Sequence, residues 1–155
     1  MTSIRLLAEV PEVIPTIAEW YRAEWTDWFA DTPIDEIKAD FVSIANNDKL
    51  PLGVAAFDST DSIVGFCSLR DDPFEPYPHA GPWLRGLYVH GPYRGNGIAC
   101  ELIRAAELHA ARLGVPKLYA ATGTAIRTFE RAGWLGFDQV LHDQQTLTIF
   151  AKRTA

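Results

Sequence analysis

Between Leu87 and Arg112 the chain runs from an apolar stretch through Tyr93-Arg94-Gly95-Asn96-Gly97 into a segment with apolar residues at helical spacing. A strand that turns through glycines directly into a helix points to an α/β architecture, because the helix must fold back over the sheet to which the strand belongs. Ile98, Leu102, Ala106, His109 and Leu113 make one apolar stripe, Glu101, Arg104 and Glu107 lie off it, and Gly114 supplies the stop. The turn also carries chemistry. Free N–H groups at a helix start sit at the positive end of its dipole and attract anions. Gly95 and Gly97 remove the β-carbons that would keep a phosphate away, and Arg94 adds a cation. A tight turn that needs left-handed glycines and binds nothing is the plain structural alternative.

The remaining elements follow from periodicity. Ser3 to Val10 alternates weakly and stops at Pro11, which predicts a short strand. Glu12 to Ala30 carries Ile14, Ile17, Trp20, Tyr21, Trp25, Trp28 and Phe29 near helical spacing, which predicts one long helix with a wide aromatic face. Thr32 before Pro33 reads as the N-cap of a second helix through Ile34, Ile37, Phe41 and Ile44, ending near Asn46-Asn47-Asp48. "LPLGVAAFD" and "SIVGFCSLRD" are apolar runs joined at Ser59-Thr60-Asp61, a hairpin signal. "DDPFEPYPHAGP" holds four prolines and reads as an irregular aromatic loop of the kind that shapes a site. "WLRGLYVH" and "KLYAATG" are strands, "TAIRTFERAGW" is a brief helix ended by Gly133, and "GFDQVLHDQQTLTIFAKR" is two strands about a turn at His142-Asp143. The order is β-α-α-β-β-β-α-β-α-β-β in one domain over residues 1–155, with no internal repeat or linker.

Composition narrows the function. The net charge of −6 argues against nucleic acid, which needs a basic face, and suits a cationic small substrate. No charge-free run exceeds nine residues, against the ~20 of a spanning helix, and the start shows no leader pattern. We therefore expect a cytoplasmic protein without membrane contact. Cys67 and Cys100 stand in a strand and a helix with no metal-ligand spacing, and read as buried free thiols.

Two familiar glycine loops do not fit. A P-loop needs a lysine that is missing from Gly91 to Gly97 and directly after. A dinucleotide fingerprint needs a small residue where Cys100 stands and an acidic one near Ala120, Ala121 and Thr122. A third pattern does fit: Arg94-Gly95-Asn96-Gly97-Ile98-Ala99 after "LYVHGPY" resembles the Arg/Gln-x-x-Gly-x-Gly/Ala motif of the GCN5-related N-acetyltransferases (GNAT). "TAIRTFERAGW" is similar to that superfamily's later strand-helix motif, so the resemblance covers about Leu50 to Lys152.

The resemblance implies an α/β fold with a mixed central sheet of about seven strands flanked by about four helices. It implies acetyl-CoA as cosubstrate, with the backbone of Leu87, Tyr88 and Val89 on the pantetheine arm and that of Arg94, Gly95, Asn96, Gly97, Ile98 and Ala99 on the pyrophosphate. It implies direct attack by an amine in a ternary complex; the long loop and aromatic first helix suit a small amine as acceptor, and a monomer or homodimer is expected. Independently of the family, an amide-bearing arm can pair with a strand edge as an added strand would, and a strand N–H there can act as oxyanion donor.

The match fails at the acid. The tyrosine of the later motif is replaced by Phe129, and the asparagine that contacts the cofactor by Thr122, which still hydrogen-bonds. Coenzyme A thiolate, with a pKa of ~8.5 like a model thiol, can take its proton from water, or Tyr88, His90 or Tyr119 can reach it. Candidate bases are His79, Glu75, Asp71 and Asp72 in the proline-rich loop, His79 having the best-suited pKa. Asp72, together with Glu24, Trp25, Asp27 and Trp28 of the first helix, is a candidate for binding an ammonium group. Three readings follow: a small-molecule N-acetyltransferase, an acetyl-CoA-binding regulatory module that has lost turnover, and an enzyme acting on protein lysines or N-termini.

Overall fold

The structure, a computed structural model, describes residues 2–154. In chain order the elements are β1 (Ser3–Leu6), α1 (Ile14–Glu24), α2 (Thr26–Phe29), α3 (Ile34–Ser43), β2 (Leu52–Phe57), β3 (Ile63–Arg70), β4 (Trp83–Val89), α4 (Ile98–Arg112), β5 (Lys117–Thr122), α5 (Ile126–Arg131), β6 (Leu135–His142) and β7 (Gln145–Arg153). The strands form one seven-stranded sheet in the order β1-β2-β3-β4-β5-β7-β6. Every neighbouring pair is antiparallel except β4 and β5, so the sheet is mixed.

Helices cover both faces, which explains the continuous apolar runs of the central strands. Along β2, Leu52, Val54 and Ala56 join a core with Leu102, Ile103 and Ala106 of α4. Ala55 and Phe57 point the other way, into a second core with Ile17 and Tyr21 of α1 and Ile37 and Phe41 of α3. Each face of β2 therefore anchors a separate helical layer. α4 buries Ile98, Leu102, Ile103, Ala106 and Ala110. Gly114 follows it at φ +79, a left-handed stop.

Four boundaries depart from the sequence reading. The first strand ends at Leu6 and gives way to two 3₁₀ turns, Leu7–Glu9 and Pro11–Val13. The long aromatic helix is broken at Trp25 (φ −115, ψ 59), so that five helices flank the sheet. The Trp25 ring lies 4.8 Å from Tyr21 and 6.2 Å from Tyr88, and the break turns it onto the sheet-side aromatic cluster. α3 is capped by Pro33 itself, whose carbonyl accepts the N–H groups of Glu36 and Ile37, so Thr32 is not the cap. The last hairpin turns at Asp143-Gln144, both at positive φ, one residue later than expected.

The sheet is not evenly closed. β4 and β5 share a single register pair, Trp83 opposite Tyr119, continued only by the Tyr119 N–H to the carbonyl of Pro82. Beyond it the strands part, and a wedge opens toward their carboxyl ends, where the glycine turn and α5 begin. β4 is also bulged against β3 between the pairs Tyr88–Phe66 and Arg85–Ser68. Gly86, at φ +64, supplies the backbone freedom for the bulge.

Phe129 is a structural residue here. It is 3% exposed, with its ring 5.0 Å from Trp134 and 5.5 Å from Phe150, so it packs in the core and is not displayed to a cofactor. Phe129→Ala is expected to lower unfolding free energy by about 3–5 kcal/mol, measured by urea denaturation.

Candidate functional site

The site is built on the carboxyl end of β4. Register alternation decides which peptide groups face the wedge. The N–H of His90 donates to Val64 in β3 at 2.8 Å, so Tyr88, two residues back, also turns its N–H to β3. Val89, between them, therefore directs its N–H away from β3, along the edge that β5 leaves unpaired, and Leu87, in the bulge, has no register partner in β3. Their side chains pack against the α4-side core.

At the top of β4 the chain passes through Gly91–Tyr93 into the glycine turn. Gly95 (φ +85) and Gly97 (φ +79) are left-handed, and a Cβ added at either meets no atom within 4 Å. Gly97 is the N-cap of α4 and no side chain caps the helix. The first intrahelical bond runs from Glu101 N–H to Gly97, so the N–H groups of Ile98, Ala99 and Cys100 have no helical acceptor. Ile98 is buried and pins the helix start to the core. Asn96 closes the turn by donating its side-chain amide to Tyr93 at 3.1 Å.

Arg94 does not extend into open solvent. Its Nε donates to the Val89 carbonyl at 2.7 Å, an Nη pairs with Glu24 at 3.2 Å, and the guanidinium lies 5.5 Å from the Tyr88 ring centroid. Glu24, Trp25, Tyr88 and Arg94 are thus brought together at the end of β4. Burial, and next the charge of Glu24, raise the Tyr88 phenol above its ordinary value, so it stays protonated near neutral pH. Tyr93 donates to Asp58 at 3.1 Å and ties the turn to the β2–β3 hairpin.

Other expected residues are elsewhere. Trp28 is 70% exposed and stands apart from Trp25. Asp27 is exposed as well. Asp72 is bound by Arg85, through its carboxylate at 3.3 Å and its carbonyl at 2.8 Å. His79 and Glu75 are exposed in the loop, and His79 borders a depression with Lys117, Tyr119 and Arg153. That depression lies by the closed end of the wedge, roughly 13 Å along β4 from Leu87 at ~3.3 Å per residue. Thr122 accepts the N–H groups of Thr124 (3.2 Å) and Ala125 (2.9 Å), so its oxygen serves the turn into α5. Sequence reasoning passed over Tyr21 and Gly86, although a glycine inside "WLRGLYV" is a bulge signal.

A strand edge with free peptide groups, leading into an uncapped helix start with open space over its glycines, fits a ligand that joins an amide-bearing arm to a phosphate. The family model described as Acetyltransferase (GNAT) family matches residues 14–134. The chain belongs to this acetyltransferase family. As a GNAT protein it is an acetyl-CoA-dependent N-acetyltransferase. No curated protein matches it. Its fold is similar to that of an aminoglycoside 6'-N-acetyltransferase crystallised with coenzyme A, at TM-score 0.78 and 18% identity over 99% of this chain and 97% of that one. It is also similar to an aminoglycoside 6'-acetyltransferase type Ii, at 0.74 and 20% over 100% and 97%. A spermidine/spermine N-acetyltransferase of Vibrio cholerae gives 0.74 and 14% over 99% and 95%. These likenesses establish the GNAT fold. Among the described residues no helix is long and apolar enough to cross a membrane.

The tether beside the GNAT turn is sensitive to pH. Bonds to Asp58, first from the Thr60 hydroxyl and next from the Ser62 N–H, lower its carboxyl from 3.8 to about 2. A depressed carboxyl stabilises the fold fully above its unfolded value and loses that effect as pH falls through its folded value. Asp58→Ala should therefore melt below wild type at neutral pH, and the gap should shrink as pH falls from 3.8 to about 2 in thermal scans.

Proposed function

We propose that the protein transfers the acetyl group of acetyl-CoA to a primary amine of a small molecule by direct attack while both are bound. The observation that carries this reading is the unpaired edge of β4 beyond Trp83, which leads without interruption to the uncapped start of α4. Acetyl-CoA supplies the acetyl group as a thioester whose C–S bond breaks as the amine's N–C bond forms.

The residues have separate tasks in this proposal. The N–H groups of Ile98, Ala99 and Cys100, and the main chain of Gly95 to Gly97, receive the pyrophosphate at the positive end of α4. Arg94, held by Val89 and Glu24, adds positive charge at the edge of that turn. The Leu87 carbonyl and the Val89 N–H pair with the pantetheine amides, the Val89 carbonyl being held by Arg94, and the Leu87 N–H donates to the thioester oxygen as charge develops there. Because that donor belongs to a strand, no reorganisation accompanies the reaction. Glu24 and Trp25 at the α1–α2 break face the acceptor amine. An ammonium would find the carboxylate of Glu24 and the ring of Trp25 on one side of the wedge mouth.

No side-chain acid is assigned at the thiolate. Phe129 has no proton to give and packs in the core, and a thiol with a pKa of ~8.5 leaves readily enough to be protonated by water. The proline-rich loop supplies no base in this proposal: Asp72 pairs with Arg85, and Asp71, Glu75 and His79 are exposed to solvent. An amine bound as ammonium then has to lose its proton before it attacks, and the rate should rise with pH until the free amine predominates.

Calorimetric titration with acetyl-CoA tests the cosubstrate site, and thiol release over a panel of small amines tests transfer. Gly97→Val requires a branched residue at φ +79 and is expected to weaken acetyl-CoA binding by about tenfold or more while the protein stays folded. Unchanged affinity would remove the turn from the site. Binding without thiol release from any amine would favour the regulatory-module reading.

A further inference from the structure

We propose that Tyr21 is a positioning residue for acetyl transfer, holding the peptide unit that presents the Leu87 N–H to the wedge. The hydroxyl of Tyr21, on α1, donates to the carbonyl oxygen of Gly86, in the β4 bulge. That carbonyl and the Leu87 N–H are two ends of one peptide group. The group is planar and trans, so its N–H points opposite to its C=O. Fixing the carbonyl on Tyr21 therefore fixes the direction of the N–H, in a bulge where the β3 ladder does not set it because Leu87 has no register partner there. A donor on the oxygen also polarises the peptide and strengthens the N–H as a donor at its other end.

Both partners are built for this bond. Gly86 sits at φ +64, and a Cβ placed on it would lie 2.5 Å from the Tyr21 hydroxyl oxygen, so only glycine allows the approach. The Tyr21 ring is 8% exposed and is set by edge contacts with Trp25 at 4.8 Å, Phe41 at 5.0 Å and Phe66 at 6.1 Å. These rings come from the α1–α2 break, α3 and β3, so three elements lock the direction of one hydroxyl. Burial pushes the phenol well above its ordinary value, and the donor is present at every working pH.

The inference rests on the reading that Leu87 N–H receives the thioester oxygen, and its test separates the two. Tyr21→Phe keeps the ring and removes the donor. Expected are a kcat lower by about tenfold, the order of one lost buried hydrogen bond, with both KM values within about twofold and the pH profile unmoved. In ¹⁵N-labelled protein without substrate, the Leu87 amide resonance should shift while those of α4 stay. Acetyl-CoA affinity by calorimetry should match wild type. Replacing Tyr21 by 3-fluorotyrosine, a stronger donor of nearly equal size, should move the Leu87 resonance the opposite way, and it serves if the phenylalanine variant does not fold. An unmoved Leu87 amide in whichever variant folds overturns the inference, as does a normal kcat for folded Tyr21→Phe. Were wild type to turn over no amine, the transfer reading would fall and the amide readout would still decide whether Tyr21 holds the bulge.

Discussion

The structure depends on a hydrogen-bonded ladder that stops early. β4 and β5 meet at Trp83 and Tyr119 and then separate, although each strand continues for several residues. A sheet that stops pairing in its interior loses backbone hydrogen bonds, each worth about 1 kcal/mol net, and leaves polar groups that must find water or another partner. The split is tolerated because both strands are held from their other sides. β4 is paired along β3, β5 along β7, and the α4-side core runs beneath both, from Leu84 to Leu118 and Phe150. The wedge is a consequence of two well-paired half sheets joined at one point.

The bulge in β4 works with that split. It inserts one residue opposite Cys67, bends the strand and places Gly86 over Tyr21. The helical layer of α1 and α3 thus has two roles. Ile17 and Phe41 fill space, whereas Tyr21 also satisfies a carbonyl that the ladder has released. Phe129 shows the reverse case. Its place in the motif suggests chemistry, but its surroundings, Trp134 and Phe150, are those of a core side chain.

Much of this was legible in the sequence. The apolar runs of β2 and β3, the stripe of α4 and the stop at Gly114 rest on hydrophobic pattern and turn chemistry, which are local, and the structure has them. The glycine turn was legible for the same reason: Gly95 and Gly97 adopt the left-handed backbone that their spacing suggested. The break at Trp25 was not, because helical spacing continues across it and only the packing of its ring on Tyr88 turns it inward. The pairing of Arg94 with Glu24 and of Arg85 with Asp72 joins residues distant in the chain, and one sequence holds no signal for such partners. Thr122 has by type a hydroxyl able to meet a cofactor, but the turn that follows occupies it.

Two of the unpaired strand edges among the described residues are exposed to different visitors. One outer edge, on β6, borders solvent, and Leu135 and Leu141 of that strand are largely exposed. The inner edge, on β4, faces β5 across the wedge and is flanked above and below by the two helical layers. An exposed edge recruits any passing strand, whereas a recessed one admits only a chain slender enough to enter between the layers. Recessing the edge thus acts as a size filter: it gives the protein a ready set of backbone donors and acceptors without offering them to another protein's sheet.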